Sequence, residues 1–243
     1  MADRRMLIVI DDAWKEDDTH PFLRGSPHCA RLITTRDSGT LPRGTVEQPV
    51  DQMQGAEAVA LLRAGLPAGE DEALRLLAGR LGEWPLLLKL ANSAMVDRVV
   101  HSRAPLRDTV VHTVRLLDKP GLTAFDPRET EGRRDAVAST LALSLDRLHT
   151  KEQNLLCELA VFPEDVPIPV GTVNMLWRES ASFEDYDTNE LLQRLLRLSL
   201  LLRLDLDSRF LQLHDVIRTW LRERIGSDLT QVERRLAKQR RSP

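Results

Sequence analysis

The sequence predicts a mainly α-helical protein with an α/β start, and three features of its pattern support this fold class. Two short apolar runs rich in β-branched residues, at 6–10 and 29–36, predict strands near the start of the chain. From Gly55 onward, apolar residues recur at helical spacing in segments that Gly and Pro separate. Near the end of the chain, an alternating segment turns at 205–208, which predicts a hairpin.

The composition fits a globular chain without a strong preference for charged partners. The chain has 243 residues, of which 42% are hydrophobic and 29% are charged. A chain of this length buries roughly 70–75% of its unfolded surface, enough for one large domain or about two to three small ones. The formal net charge of -3 and the isoelectric point near 6.1 exclude a strong overall attraction to nucleic acid or to membrane surfaces.

The cysteines and the hydropathy of the chain indicate a cytoplasmic protein. Cys29 and Cys157 are far apart and outside any CxxC spacing, so they predict neither a disulfide framework nor a zinc site. No apolar run approaches the ~20 residues of a membrane span. Met1 precedes charged residues and a short apolar run without a signal-peptide cleavage pattern, so we expect neither secretion nor membrane insertion.

The predicted α/β start comprises residues 1–50. Roughly twenty residues separate its two strands, and a gap of this length accommodates a crossover connection with a short helix. Both strands are predicted to be buried, because their apolar runs are short and continuous. A turn-rich connection that contains Gly and Pro then leads to the first helical segment.

Three further regions follow the α/β start. Residues 51–120 predict three or four short helices that form a small bundle. Region 121–227 begins with a charged linker and a helix, and Thr150 is a candidate cap for the next helix. Two more helices, the hairpin and a final helix complete that region in the order of a winged-helix domain. Residues 228–243 form a basic tail, which we predict to be a solvated end.

Two adjacent acids follow the first apolar run. Asp11 and Asp12 are therefore expected at the carboxyl end of a strand, where phosphate-handling α/β proteins place their acids. One such acid can hold Mg²⁺ while its neighbour orients an attacking water. The alternative is that the two acids cap the following segment, and the residues by themselves leave both possibilities open.

The order of four motifs resembles the NB-ARC family of STAND signalling NTPases, and the resemblance covers most of the chain. The stretch "LIVIDDAW" is similar to the Walker B motif of that family, and "ARLITTRD" is similar to its sensor-1 strand. The resemblance implies that Asp11 contacts Mg²⁺, that Asp12 is the catalytic acid and that Arg36 binds the terminal phosphate. A guanidinium suits that role because its planar fork matches phosphate oxygens.

The other two motifs lie farther along the chain. The stretch "EWPLLLKLA" is similar to the family's GLPL motif, in which the residue matching Pro85 packs against the adenine; here Glu83-Trp84 replaces Gly-Leu. The stretch "LQLHDVIRTWL" is similar to the MHD motif, in which the residue matching His214 contacts the β-phosphate of ADP. We expect Asp215 to cap the helix that follows.

The family's Walker A loop, G-x-x-x-x-G-K-[ST], is missing from this chain, in which no glycine precedes a lysine. In the family this loop lies upstream of Walker B, so Met1 resembles an internal start. We expect the Walker A strand of a complete relative to lie between the two predicted strands. Without it, those strands would pair directly or present unpaired edges. We expect the chain alone to bind ADP or ATP weakly or not at all and to be inactive as an ATPase.

The resemblance implies a C-terminal portion of an ADP/ATP-dependent switch with Mg²⁺. ADP would hold the resting state closed, and exchange for ATP would drive self-association, with effector and repeat-sensor domains as further partners. One alternative is a structural or interaction remnant that binds no nucleotide. Another is a winged-helix DNA-binding regulator, which the sequence disfavours because the candidate recognition helix offers only Arg194 and Arg197 among many leucines.

Overall fold

A computed structural model describes residues 5–24, 28–35, 37–48, 50, 53–117, 130–164 and 166–239. The chain divides into two compact units. We call Met1–Asp51 the N-terminal unit and Gln52–Pro243 the C-terminal unit.

The N-terminal unit has the predicted strand, helix and strand. Strand β1 (Leu7–Ala13) and strand β2 (Ala30–Thr35) are parallel, and helix α1 (Glu16–Leu23) connects them. The helix begins with three acidic residues, which favour the positive end of its dipole. The crossover expected from the spacing of the two apolar runs is therefore present.

The two strands pair directly with each other, which is one of the two outcomes expected without a Walker A strand. Leu7 pairs with Ala30, and the register continues to the pair of Ile10 with Ile33. The facing N–H and C=O groups of the two strands satisfy each other. In this arrangement a further strand would add at an outer edge of the sheet.

One face of this small sheet is exposed, which corrects the prediction of buried strands. The side chains alternate between faces, and Leu7, Val9 and Leu32 on one face are 63%, 56% and 53% exposed. Ile10 on the other face is buried, and α1 packs against β1. The apolar runs predicted strands correctly. Within the described part of this unit, helix α1 is the one layer that packs against the sheet, and it leaves the other face exposed.

The first part of the C-terminal unit is a bundle of four helices, as the helical spacing predicted. The helix containing Pro85 packs against the first and the last helix of the bundle, and the second helix packs against those two. Its side chains Leu87, Leu88 and Leu90 are fully buried. The helices are α2 (Gly55–Arg63), α3 (Asp71–Arg80), α4 (Pro85–Val96) and α5 (Leu106–Leu117), and a π-helical turn (Asp97–His101) follows α4.

Between residues 130 and 225, the second part has five α-helices and a three-stranded antiparallel sheet. The central strand β5 pairs with the short β3 on one side and with β4 on the other, so that β4 and β5 form the predicted hairpin. In its turn, the carboxylate of Asp205 accepts hydrogen bonds from the amides of Asp207 and Ser208. The elements are α6 (Thr130–Leu145), α7 (Thr150–Glu158), β3 (Ile168–Pro169), α8 (Val170–Ala181), α9 (Asp185–Arg197), β4 (Arg203–Asp205), β5 (Phe210–Gln212) and α10 (Asp215–Ile225).

Two local predictions for this region are wrong. Thr150 is the first residue of α7 rather than its cap, and His149 occupies the N-cap position, where its backbone N–H donates to Glu152. The basic tail is also not a solvated end over its helical part. Helix α11 (Leu229–Gln239) packs against α8 and buries Val232, because its apolar residues recur every three to four positions.

No helix in the described ranges is both long enough and apolar enough to cross a bilayer.

Candidate functional site

The two acids of the N-terminal unit lie at an irregularity in β1. The pairing register with β2 shifts between Ile10 and Ala13, so Asp11 and Asp12 occupy the shifted segment. Asp12 has a left-handed backbone, with φ of 53°. Aspartate tolerates this conformation better than most residues, because its short side chain bonds locally. The sequence predicted these acids just past the strand, whereas they lie within its irregular end.

Thr34 of β2 links the two acids. Its hydroxyl donates to Oδ1 of Asp11 at 2.5 Å and accepts from the backbone N–H of Asp12 at 2.8 Å. The indole N–H of Trp14 donates to Oδ2 of Asp12 at 3.0 Å. The carboxylates are therefore oriented by neighbouring groups and are exposed to solvent.

The capping alternative for Asp11 and Asp12 does not fit the geometry. At the start of α1, the carboxylate of Asp18 accepts the backbone N–H groups of Trp14 and Lys15, at 3.1 and 3.0 Å. Those N–H groups are therefore satisfied from within the helix.

The acid pair fits Mg²⁺ only together with other ligands. No group of three or more His, Cys, Asp and Glu residues suited to a metal occurs among the residues that the structure describes. Magnesium in phosphate-handling sites binds one or two carboxylates, and water and substrate phosphates complete its octahedron. Asp11 can supply such a carboxylate oxygen, so the residues fit a magnesium ion that arrives with a nucleotide.

Arg36, the predicted phosphate-binding arginine, lies outside the described residues. It follows β2 directly in sequence, since that strand ends at Thr35. The next residue, Asp37, begins a short 3₁₀ turn, and its carboxylate accepts the N–H of Gly39 at 2.8 Å.

Pro85 is the first residue of α4, a position that suits proline because its missing N–H has no partner in the first turn. Its side chain is exposed. Glu83, which replaces a family glycine, has φ of 55°. Its backbone N–H donates to Ala78, and its carbonyl accepts from Met53, both at 3.0 Å. The turn thus has a conformation that favours glycine although glutamate occupies it.

His214 caps α10, which corrects the role expected for Asp215. The ring nitrogen Nδ1 of His214 accepts the N–H of Val216 at 3.3 Å, and Asp215 is the first residue of the helix. Because Nδ1 is the acceptor, the neutral ring carries its proton on Nε2. The half-buried ring can therefore donate one hydrogen bond from Nε2.

Lys89 is a neighbour of His214 that the sequence analysis missed. Burial lowers the pKa of His214, and the cation of Lys89 lowers it further, while Asp215 acts in the opposite direction. Lys89 lies one helical turn after Pro85, so both residues are on one face of α4. The spacing of four residues was the available signal. Helices α4 and α10 both pack against α6.

The surface of α9 does not resemble a DNA-reading helix. Asp185, Asp187 and Glu190 are exposed, and Arg194 is held by Glu152 at 2.8 Å. An acidic surface repels phosphate backbones. The geometry therefore agrees with the sequence in disfavouring a DNA-binding regulator.

Comparison with known proteins finds similarities in sequence and in structure. Apoptotic protease-activating factor 1 of Danio rerio is 23% identical over 244 residues, which cover 97% of this chain and 18% of that protein. The solved structure of a Signal Transduction ATPase with Numerous Domains (STAND) from Pyrococcus horikoshii, a protein with a tetratricopeptide repeat sensor, matches with a TM-score of 0.59 at 18% identity. That match covers 98% of this chain and 31% of the other. No protein family profile matches the chain.

The sequence similarity to an apoptotic protease-activating factor agrees with the resemblance to the STAND/NB-ARC family that the motifs indicate. The structural match shows the fold, which is mainly helical with a small sheet. The chain spans less than a third of the length of either relative.

Proposed function

We propose that the chain is the C-terminal portion of an ADP/ATP-dependent NB-ARC switch. In this proposal, region 121–227 comprises a linker helix and a winged-helix domain, which closes on the helical bundle when ADP is bound. Pro85 packs against the adenine, Arg36 binds the terminal phosphate and His214 donates to the β-phosphate. Exchange for ATP releases the closed arrangement and allows self-association, with effector and repeat-sensor domains as partners of the whole protein.

One observation carries this proposal. Helix α4, which begins with Pro85, and helix α10, which His214 caps, are far apart in sequence, yet both pack against α6. This shared packing supports a common site for Pro85 and His214. The sequence similarity to a signalling NTPase family adds independent support.

The switch requires that ADP and ATP differ in their affinity for the two arrangements, since equal affinity shifts no equilibrium. His214 contributes because its Nε2–H is free to donate while Nδ1 is held by the backbone. Asp11 would hold Mg²⁺, which polarises phosphate oxygens when bound. Asp12 would orient the attacking water, and its indole partner Trp14 fixes the carboxylate for that purpose.

Calorimetry with ADP tests the proposal. We expect the chain alone to bind ADP weakly or not at all, and the chain extended upstream by a segment with G-x-x-x-x-G-K-[ST] to bind it with a micromolar or lower Kd. In the extended chain, His214→Gln should weaken binding, whereas the matched change His149→Gln at the cap of α7 should not. Tight ADP binding by the chain alone would refute its dependence on the missing loop.

A measurement of ATP turnover distinguishes the nucleotide-dependent switch from an interaction remnant that binds no nucleotide. In the extended chain, Asp12→Asn should lower turnover while ADP binding persists, because the amide cannot accept a proton from water. If the extended chain binds no adenine nucleotide, the switch proposal fails.

In that case the interaction remnant is favoured, and a specific observation supports it. Leu7, Val9 and Leu32 form an exposed apolar face on the N-terminal unit, which suits contact with another protein surface.

A further inference from the structure

We propose that a cleft between α7, α10 and α11 binds a free α-amino acid with an apolar side chain. The guanidinium of Arg224 binds the carboxylate of the ligand, and the carboxylate of Asp228 binds its ammonium group. The cleft lies within the C-terminal unit, and the described residues that line it include neither Pro85 nor His214. The inference therefore goes beyond the nucleotide switch and does not depend on it.

The cleft forms where residues of α7 meet the end of α10, the 3₁₀ turn Gly226–Asp228 and helix α11. Its volume of about 340 Å³ is that of a small-molecule site. Ile225 and Val232 supply an apolar part of the lining, and Asn154 and Gln231 supply amide groups. Such a lining suits a small ligand that combines an apolar body with polar ends.

Arg224 is oriented in advance for an anion. Its Nη2 donates to Oε1 of Gln153 at 3.1 Å, and its guanidinium lies 5.1 Å from the centre of the Trp220 ring. It also forms a hydrogen bond with the thiol of Cys157, which is a weak acceptor. A guanidinium has more N–H donors than these two hydrogen bonds use, so donors remain for the oxygens of a ligand carboxylate.

The charges of the cleft leave one cation and one anion unbalanced. Glu158 is buried, and its carboxylate accepts from Ser180 at 2.7 Å and from Arg235 at 3.3 Å, so Glu158 and Arg235 balance each other. Asp228 is exposed and forms no ion pair with any residue that the structure describes, and the same holds for Arg224. A ligand with one charge of each sign therefore complements this lining.

A zwitterion fits this pair of charges better than a simple ion. Asp228 would repel a simple anion, and Arg224 would repel a simple cation. An α-amino acid has its ammonium and carboxylate groups on one carbon, so a small ligand can contact both residues. Its apolar side chain would pack against Ile225 and Val232. Bound in this way, the ligand would link the end of α10 to the start of α11 and stabilise the packing of α11.

Nuclear magnetic resonance of the complete 243-residue chain tests the site, with leucine as the probe. Trp220 is the reporter because its ring contacts Arg224, and the spectrum of Trp220→Phe assigns its indole resonance. We expect leucine to shift this resonance until the site is saturated. Leucine amide lacks the carboxylate and isocaproate lacks the amine, so each should bind at least about tenfold more weakly than leucine.

Arg224→Met and Asp228→Asn should each weaken leucine binding about tenfold, because each removes one charge-assisted interaction. Saturation-transfer signals of leucine measure the affinity of these variants, since Arg224→Met alters the surroundings of the reporter ring. Arg222→Met is the matched control, because Arg222 is an exposed cation of α10 outside the lining of the cleft. It should bind leucine like the unaltered chain. Far-UV circular dichroism verifies that each variant is folded.

Three results would overturn the proposal. One is the absence of a saturable shift of the Trp220 resonance with leucine. Another is binding of leucine amide or isocaproate as tightly as leucine, and the third is unchanged leucine binding by Arg224→Met or Asp228→Asn. ADP binding by the chain extended with a phosphate loop is measured separately, so failure of the amino-acid site leaves the nucleotide switch standing, and the reverse also holds.

Discussion

The N-terminal unit holds the candidate acids on a thin support, whereas the C-terminal unit holds its candidate residues on helices that pack into a continuous core. The sheet of the N-terminal unit has two strands and an exposed apolar face. In the C-terminal unit, one cluster of buried side chains extends from α2 to α11. We therefore expect burial in the C-terminal unit to contribute most of the free energy of unfolding. The geometry around Asp11 and Asp12 depends on a few local hydrogen bonds.

The largest expected effect comes from the core of the C-terminal unit. Trp177 is fully buried, and its indole N–H donates to the carbonyl of Leu155 at 3.1 Å. Trp177→Ala should lower the free energy of unfolding by about 3–5 kcal/mol, because it leaves a large cavity and an unpaired carbonyl. Urea denaturation monitored by circular dichroism measures this loss of free energy. Tyr186→Ala, at a side chain that is 75% exposed, should change the value by less than about 0.5 kcal/mol.

A buried ion pair tests how the two parts of the C-terminal unit are held together. Asp97 of the π-helical turn accepts from Arg147 at 2.7 Å, and their side chains are 9% and 19% exposed. Arg147 also donates to Ser102 at 2.5 Å. Asp97→Asn should cost about 2–4 kcal/mol, because it leaves the guanidinium without its counter-charge.

The matched control for that pair is Asp185→Asn, which breaks an exposed pair with Arg178 and should cost less than about 1 kcal/mol. Equal losses from both substitutions in the same urea titrations would contradict the importance of burial.

The two faces of the N-terminal sheet should respond differently to truncation. Ile10→Ala should cost this unit about 2 kcal/mol, whereas Leu7→Ala should cost less than about 0.5 kcal/mol, because only Ile10 is buried. Hydrogen exchange of the β1 amides measures the local opening free energy. If Leu7→Ala also costs about 2 kcal/mol, the exposed face is covered in solution.

The sequence predicted the positions of helices and strands more accurately than the burial of their side chains. The continuous apolar run of β1 predicted a strand, but it could not show that Leu7 and Val9 face solvent, because burial depends on what packs against the sheet. The amphipathic spacing of 229–239 was overlooked because its arginines suggested a solvated tail. Yet long basic side chains line the outside of many packed helices.

The candidate site shows the same pattern. The order of the motifs placed Pro85 in the helical region 51–120, and the structure has α4 begin there. The capping role of the ring of His214 was not predictable, because a histidine cap requires a specific rotamer that sequence does not encode. The effect of Lys89 on the pKa of His214 acts between segments distant in sequence, which no local pattern reveals.

A smaller effect is expected at the turn before α4. Glu83→Gly should raise the free energy of unfolding by about 1 kcal/mol, because φ of 55° strains any residue with a Cβ. Thermal unfolding measures the gain. Glu83→Ala keeps the Cβ and serves as the control, so a comparable gain from alanine would attribute the effect to charge rather than to backbone strain.

The smallest effect is a dependence on pH. Burial raises the pKa of Glu158, and Glu179 adds to this, while Ser180 and Arg235 oppose it. The folded state therefore holds this proton more tightly than the unfolded state. The resulting stability is fully present below the ordinary pKa of about 4.5 and is lost as pH rises through the raised value.

Relative to Glu158→Gln, the unaltered chain should thus lose stability as pH increases through that window, and urea titrations at several pH values measure the difference. Glu72→Gln, at an exposed pair with Arg75, should show no such trend. If the unaltered chain instead gains stability relative to Glu158→Gln as pH rises, the result contradicts a raised pKa of Glu158.

The hydroxyl of Thr34 contacts both the carboxylate of Asp11 and the backbone of Asp12. It occupies one oxygen of Asp11 and also anchors the amide of Asp12, so an incoming cation meets either the remaining oxygen or a competing proton donor. Displacing the Thr34 hydroxyl from Asp11 would weaken this hydrogen-bonded link between β1 and β2, two residues before Arg36. If Asp11 binds a cation as proposed, ion binding and the alignment of the neighbouring strand would form one equilibrium, and binding at the carboxylate would reach that strand without any long-range motion.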